Sequence, residues 1–135
     1  MSTRLLVVDD DAGIRELTRA ILQGAGFTVS EAASGEEAFG AILRDAPELV
    51  LLDVNMPGMD GWKVLRLLQS DDRTRRLPVV MFSVKGEIRD KVHALQEGAF
   101  DYISKPFSCD ELVDRVSRIV EAWRISSSER SEAGS

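Results

Sequence analysis

One pattern constrains this chain more than any other. Five times, a short apolar run is followed by a stretch whose apolar residues recur at helical spacing. The runs lie at residues 5–8, 27–29, 49–52, 79–82 and 102–103. Those leading to Asp9 and Asp53 are continuous rather than alternating, as expected for strands covered on both faces. In the first intervening helix, Ile14, Leu17, Thr18 and Ile21 share a face, with Asp11 placed to cap it. Ser34 with Glu37 forms a capping-box pattern ahead of a second helix that buries Ala38, Ala41 and Ile42. Val64, Leu65 and Leu68 give the third helix its inner face, and Ile88, Val92 and Leu95 the fourth. Ser108 with Glu111 opens a fifth, running through Leu112, Val116, Ile119 and Trp123.

Five βα units in this order predict an α/β fold, a parallel sheet with five helices on its two faces and right-handed crossovers. The common order for five doubly wound strands is the flavodoxin-like 2-1-3-4-5, which sets the first and third strands side by side. The pattern accounts for one domain over residues 1–124. At this size a single core needs no covalent staple. From Ser126 the sequence reads SSSERSEAGS, so residues 125–135 are expected to be a disordered tail or linker stub. The single cysteine, Cys109, excludes an internal disulfide and reads as filler in a helix start. No apolar run approaches the roughly 18 residues of a membrane span. Met1 leads straight into the first strand, so a cytoplasmic protein without a membrane partner is expected. The net charge is −6, from 17 basic and 23 acidic residues. The one basic cluster, Arg73, Arg75 and Arg76, follows Asp71 and Asp72 and reads as a solvated loop. Direct nucleic-acid binding is not expected.

In open α/β sheets, ligands bind beyond the carboxyl ends of the strands, where strand order reverses. The first run ends in Asp9-Asp10 and the third in Asp53. If their strands are neighbours, three carboxylates converge, and like charges at that range raise one another's pKa unless a cation intervenes. Hard oxygen donors suit magnesium, and no His–Cys set at zinc spacing competes. The fourth run is followed by Ser83, and the fifth by Lys105-Pro106. Hydroxyl, ammonium and metal together would surround a phosphoryl group on Asp53 and neutralise its charge. Pro57-Gly58 suits a type II turn just after this site. An aspartate-nucleophile phosphatase is the rival enzyme reading. Such enzymes carry an acid two positions after the nucleophile, and Asn55 there cannot donate a proton.

The strings LLVVDDD, LVLLDVNMPGMDG, VVMFS and YISKPF, in this order and at these separations, resemble the response-regulator receiver domains of two-component signalling. The resemblance covers about residues 4–124. It implies that Asp53 is the phosphoacceptor, served by a histidine kinase, a phosphotransfer protein or a small donor such as acetyl phosphate. It implies magnesium, which manganese could replace, held by Asp9, Asp10, Asp53 and the backbone carbonyl of Asn55. Lys105 would pair with the site's negative charge, its bond to Pro106 being cis. Ser83 and Tyr102 would move on phosphorylation and reshape the face of the fourth helix, fifth strand and fifth helix. Such a domain catalyses only its own phosphorylation and dephosphorylation. It then acts on a downstream protein or on an output domain in a longer chain.

Asp101 and Arg115 lie where dimerising relatives carry ion-pairing residues, which implies a phosphorylation-promoted homodimer. The chain departs from the family at Val84, where Ala or Gly is usual. A β-branched side chain there would narrow access to Asp53, and Lys85 beside it would attract the phosphoryl group or displace an attacking water. His93 reads as a surface residue, and Trp62 and Trp123 as packing residues.

Overall fold

The computed structural model describes residues 2–56, 58, 60–83, 88–105 and 107–133. The side chains at 88–90 and 128–133 lie outside that description. The elements run β1 (Arg4–Val8), α1 (Ala12–Gly24), β2 (Thr28–Ala32), α2 (Gly35–Asp45), β3 (Leu49–Asp53), α3 (Gly61–Ser70), β4 (Val79–Ser83), α4 (Ile88–Gln96), β5 (Asp101–Ser104) and α5 (Cys109–Ala133). The strands form one parallel sheet in the order β2-β1-β3-β4-β5, as the sequence pattern predicts.

Alternation along each strand explains why the runs are apolar throughout. Leu5, Val7, Leu49, Leu51, Val80, Phe82 and Ile103 pack with Leu22 of α1 and Leu112 and Val116 of α5. Their neighbours Leu6, Val8, Val50, Leu52, Met81 and Tyr102 pack on the other side, with Ala41 of α2, Leu65 of α3 and Ala94 of α4. Each strand therefore feeds two cores. The caps read from sequence are in place. Asp11 Oδ1 accepts from the Ile14 N–H at 3.1 Å, Ser34 Oγ from Glu37 N–H at 3.1 Å, and Ser108 Oγ from Glu111 N–H at 3.1 Å. The Glu37 carboxylate reaches back to the Ala33 N–H at 2.7 Å, one residue beyond the expected capping-box partner.

Three expectations need correction. On α1, Leu17 is 56% exposed, while Thr18 and Leu22 are buried. The inner face is turned away from Leu17, and Thr18 can enter it because its hydroxyl donates to the Ile14 carbonyl at 2.8 Å. On α4, Val92 and Leu95 are exposed and the small Ala94 is the buried residue. Helical spacing identifies a stripe, but among the described side chains of α4 the inward position belongs to Ala94, and the larger Val92 and Leu95 stay outside. The side chain of Ile88 lies outside the described residues. On α5, the helix continues to Ala133 instead of giving way to a disordered tail at 125. No glycine or proline interrupts the sequence from Cys109 to Ala133, so local propensity does not stop the helix. Residues 134–135 lie outside the described residues.

Cys109 opens α5, the helix start where the sequence put it, and is exposed there. The arginine loop is solvated as expected, with Arg73 paired to Asp71 at 2.8 Å and Arg75 to Asp72 at 3.2 Å. Trp123 packs edge-on to Phe100, and Trp62 edge-on to the exposed His93. Among the described residues, no helix is long and apolar enough to cross a membrane.

The two leucines of α1 provide an internal comparison. Leu22→Ala is expected to cost about 2–5 kcal/mol in urea unfolding, as a buried truncation does. Leu17→Ala should change stability by no more than about 0.5 kcal/mol. Equal costs would contradict the helix orientation.

Candidate functional site

β1 and β3 are neighbours, with Val8 opposite Leu52. The chain positions that follow leave the sheet at the same rim. Asp9, Asp10 and Asp53 each offer a carboxylate oxygen there, all within 4.8 Å of one another. The three consecutive aspartates of the first loop divide the work. Asp9 is 1% exposed and points its carboxylate inward, Asp10 is exposed, and Asp11 caps α1. The Asp11 N–H donates to Asp9 Oδ1 at 2.9 Å, so the capping residue also orients its buried neighbour.

Lys105 enters from the far end of the sheet. Its Nζ lies 2.8 Å from Asp9 Oδ2 and 3.5 Å from Asp53 Oδ1, and its side chain is only 10% exposed. The ammonium stands 5.8 Å from the centroid of the Phe82 ring, which stacks on Phe107. The Lys105 N–H donates to the Ser83 carbonyl at 2.7 Å, tying the loop after β5 to the end of β4.

Asp53 itself is buried, and Asp53 Oδ1 accepts from the Asn55 N–H at 3.3 Å. Burial pushes its carboxyl up to about 6, and the charges of Asp9 and Asp10 push in the same direction. Lys105 and the Asn55 N–H pull the other way without cancelling the shift.

An octahedral ion with bonds near 2.1 Å holds ligand oxygens roughly 3 to 4.2 Å apart. The cluster is close to that spacing and purely oxygen in character. Among the described residues, no hydrogen bond or ion pair engages the Asp10 carboxylate. These residues fit a hard divalent cation.

The other predicted residues fall as follows. Ser83 ends β4 and is buried, one position past Phe82, the register partner of Asp53. Tyr102 is buried on β5 opposite Met81, and its carbonyl accepts from Arg115 Nη2 at 2.9 Å. Asp101 pairs within the chain, with Arg115 at 3.4 Å and Lys91 at 4.0 Å. Gly58 has φ +81°, the value that the third position of a type II turn requires. Pro57, Val84, Lys85 and Pro106 lie outside the described residues, and with them the turn's second position, the access argument and the cis bond.

Sequence reasoning missed Gly61. A Cβ on this buried residue would stand 2.3 Å from the Asp53 carbonyl oxygen and 2.8 Å from Val54 Cα. Asp60 caps α3 through the Lys63 N–H at 2.9 Å, so the helix start is pressed against the backbone of Asp53. The available signal was the Asp60-Gly61 pair opening an amphipathic run. Arg15 and Glu31 were also missed; on an amphipathic helix and a β-strand flank they look like ordinary solubilising charges.

Two outcomes follow from this geometry. Gly61→Ala should destabilise the fold by about 1–3 kcal/mol, the usual cost of overpacking, in urea unfolding. A neutral result would mean that α3 can withdraw from Asp53. Because the folded Asp53 carboxyl titrates near 6 and an unfolded one near 3.9, protonation favours the fold. That contribution is fully present below about pH 4 and is lost as pH rises through about 6. In metal-free buffer, Asp53→Asn should stabilise the protein at pH 8 by on the order of 2 kcal/mol and hardly at all at pH 4. A gain of the same size at both pH values would contradict the shift.

The sequence profile of the response regulator receiver domain matches residues 5–117. Over 120 residues the chain is 42% identical to the phosphate regulon transcriptional regulatory protein PhoB of Klebsiella pneumoniae, a match covering 89% of this chain and 52% of that protein. The chain thus spans about half the length of the curated relatives it matches. The crystal structure of the receiver domain of NtrX from Brucella abortus superposes with a TM-score of 0.78 at 39% identity, covering 87% of this chain and 98% of that one. The chemotaxis protein CheY4 of Vibrio cholerae gives 0.81 at 28% identity, covering 88% and 99%. The strand order, the carboxylate rim and these likenesses agree, and the chain belongs to the response regulator receiver domains, the phosphoryl-accepting switches of two-component signalling.

Proposed function

We propose that Asp53 is the residue that accepts the phosphoryl group. One observation carries the reading: the Lys105 ammonium sits between Asp9 and Asp53, at 2.8 and 3.5 Å, at the rim where three carboxylate oxygens converge. The donor is a phosphohistidine on a histidine kinase or phosphotransfer protein, or acetyl phosphate. An Asp53 oxygen bonds to phosphorus as the bond from phosphorus to the donor breaks: a phosphohistidine releases its imidazole nitrogen, which takes a proton, and acetyl phosphate releases acetate. With its carboxyl near 6, Asp53 is largely ionised at neutral pH and ready to act. Asp53 is a weak nucleophile, so the chain contributes in-line placement and charge neutralisation. Lys105, 3.5 Å from Asp53 Oδ1, would pair with the transferred group's charge, and the Ser83 hydroxyl would donate to a phosphoryl oxygen.

Asp9, Asp10, Asp53 and the Asn55 carbonyl would hold magnesium, or manganese in its place. Bound there, the ion would offset the negative charge of the carboxylates and of the incoming phosphoryl oxygens. Water hydrolyses the acyl phosphate, so the domain modifies and resets itself without turning over an external substrate. From their chemistry alone, a β-branched Val84 beside the site would narrow the water's approach, and a cationic Lys85 would compete with it for the phosphoryl group.

Ser83 and Tyr102 carry the signal to the α4-β5-α5 face. A charge-assisted hydrogen bond from Ser83 is worth about 1.5–3 kcal/mol, whereas moving a population from 1:99 to 99:1 takes about 5.5 kcal/mol. Ser83 alone does not complete the switch. Lys105 adds to it, or the unphosphorylated domain already samples the active state. The exposed Val92 and Leu95 of α4 supply apolar area for a partner on this face. A phosphorylation-promoted homodimer there would exchange the internal Asp101–Arg115 pair for the same pair across the interface. The target is a separate protein or an output domain in a longer cytoplasmic chain; PhoB is named as a transcriptional regulator. This domain, with its acidic balance, does not itself contact nucleic acid.

Intact-mass measurement after incubation with acetyl phosphate and magnesium tests the acceptor. The wild type should gain one phosphoryl group that hydroxylamine removes, and Asp53→Asn none. A comparable adduct on the variant would assign the acceptor elsewhere. For the access argument, Val84→Ala should shorten the phosphoryl lifetime. A wild-type half-life no longer than the variant's would count against it.

A further inference from the structure

Asp10 poses a problem of presentation. Its carboxylate is exposed, yet it lies within reach of the oxygens of Asp9 and Asp53. No described side chain steers it, so its direction depends on the backbone that carries it. That backbone is held through Asp9. The Asp9 N–H donates to the Ala32 carbonyl at 3.1 Å, and the Asp9 carbonyl accepts from Arg15 Nη1 at 2.8 Å. A peptide unit is planar, so fixing the Asp9 carbonyl fixes the N–H and Cα of Asp10 with it.

Arg15 is itself anchored. Its Nε donates to Glu31 Oε1 at 3.1 Å, and Arg19, one turn further along α1, takes the other Glu31 oxygen. The side chains of Arg15 and Glu31 are 17% and 20% exposed, so the pair is less screened than a surface ion pair.

We infer that Arg15, buttressed by Glu31, is a positioning residue of the acidic rim: it clamps the Asp9–Asp10 peptide and so presents the Asp10 carboxylate to a divalent cation. This rests on the reading of the rim as a magnesium site. Charge alone predicts the opposite effect. Arg15 is a cation near an acidic cluster, and removing it should strengthen the binding of another cation. Loss of the clamp should weaken binding, because groups that orient metal ligands typically contribute about 10- to 100-fold in affinity. The sign of the effect separates the two accounts.

The test is a magnesium titration of the whole chain followed by amide chemical shifts, for wild type, Arg15→Met, Arg19→Met and Glu31→Gln. Arg15→Met should bind magnesium about tenfold more weakly or worse. Arg19→Met, which also releases Glu31 but does not touch Asp9, should bind as the wild type does. Glu31→Gln keeps an acceptor for Arg15 and should fall between them. Arg15→Lys, which keeps the charge but cannot reach Asp9 and Glu31 with one fork, should bind more weakly where charge alone predicts no change, and it carries the test if Arg15→Met does not fold. Labelling of Arg15→Met by acetyl phosphate should recover at saturating magnesium, since Asp53 and Lys105 are untouched. Equal or tighter binding by Arg15→Met, or an equal loss in Arg19→Met, would overturn the clamp. Failure of the wild type to bind magnesium would instead overturn the reading of the rim.

Discussion

The ammonium of Lys105 among the carboxylates of Asp9 and Asp53 is the contact on which the rest of this structure turns. Two nearly buried aspartates and a third at the surface cannot gather at one rim on their own account, because burial and mutual repulsion both oppose their ionisation. Lys105 lies 96 residues from Asp9 in sequence, and only the closing of the sheet brings it there. Its ammonium stands over the Phe82 ring, which in turn stacks on Phe107. The attraction is incomplete, as the raised Asp53 carboxyl shows. The rim is left with negative charge that a cation can offset.

That residual cost is distributed over a stiff scaffold. Each strand sends alternate residues into two separate cores, so the strand ends cannot shift to relieve the carboxylates without disturbing both. The backbone around the site is also held from outside. Gly61 brings α3 against the Asp53 carbonyl, Asp11 grips Asp9 while capping α1, and Arg15 holds the Asp9 carbonyl. A site under electrostatic tension keeps its geometry because its neighbours leave it no room. The ionised Asp53 carboxylate opposes the fold that positions it, because burial disfavours its charge.

The other face of the domain is looser. α4 meets the core chiefly through Ala94 and leaves Val92 and Leu95 in solvent, while Asp101 links to both Lys91 and Arg115 by partly exposed pairs. Among its described side chains α4 therefore offers the core little apolar area, and its neighbour Asp101 is held by ion pairs open to solvent. The tightly held rim and the α4 side are joined through the sheet by β5, where Tyr102 is buried opposite Met81.

Much of this was readable from residue order alone. Apolar runs and helical spacing set the five βα units, the caps at Asp11, Ser34 and Ser108 marked helix starts, and the polar residues after each run nominated Asp9, Asp10, Asp53, Ser83 and Lys105. These signals are local or repeat along the chain, so they survive without coordinates. What required the tertiary structure was orientation and proximity. Leu17 and Leu22 are equally apolar, and only packing decides that one is buried. Gly61 is one glycine among ten in the sequence, until a close approach to Asp53 makes its missing Cβ essential. Arg15 and Glu31 look like any charges on amphipathic elements until the sheet sets one beside the other and both behind Asp9. Sequence determines which groups a chain carries and at what period; contact between distant segments decides which of them share a charge, a hydrogen bond or a lack of space.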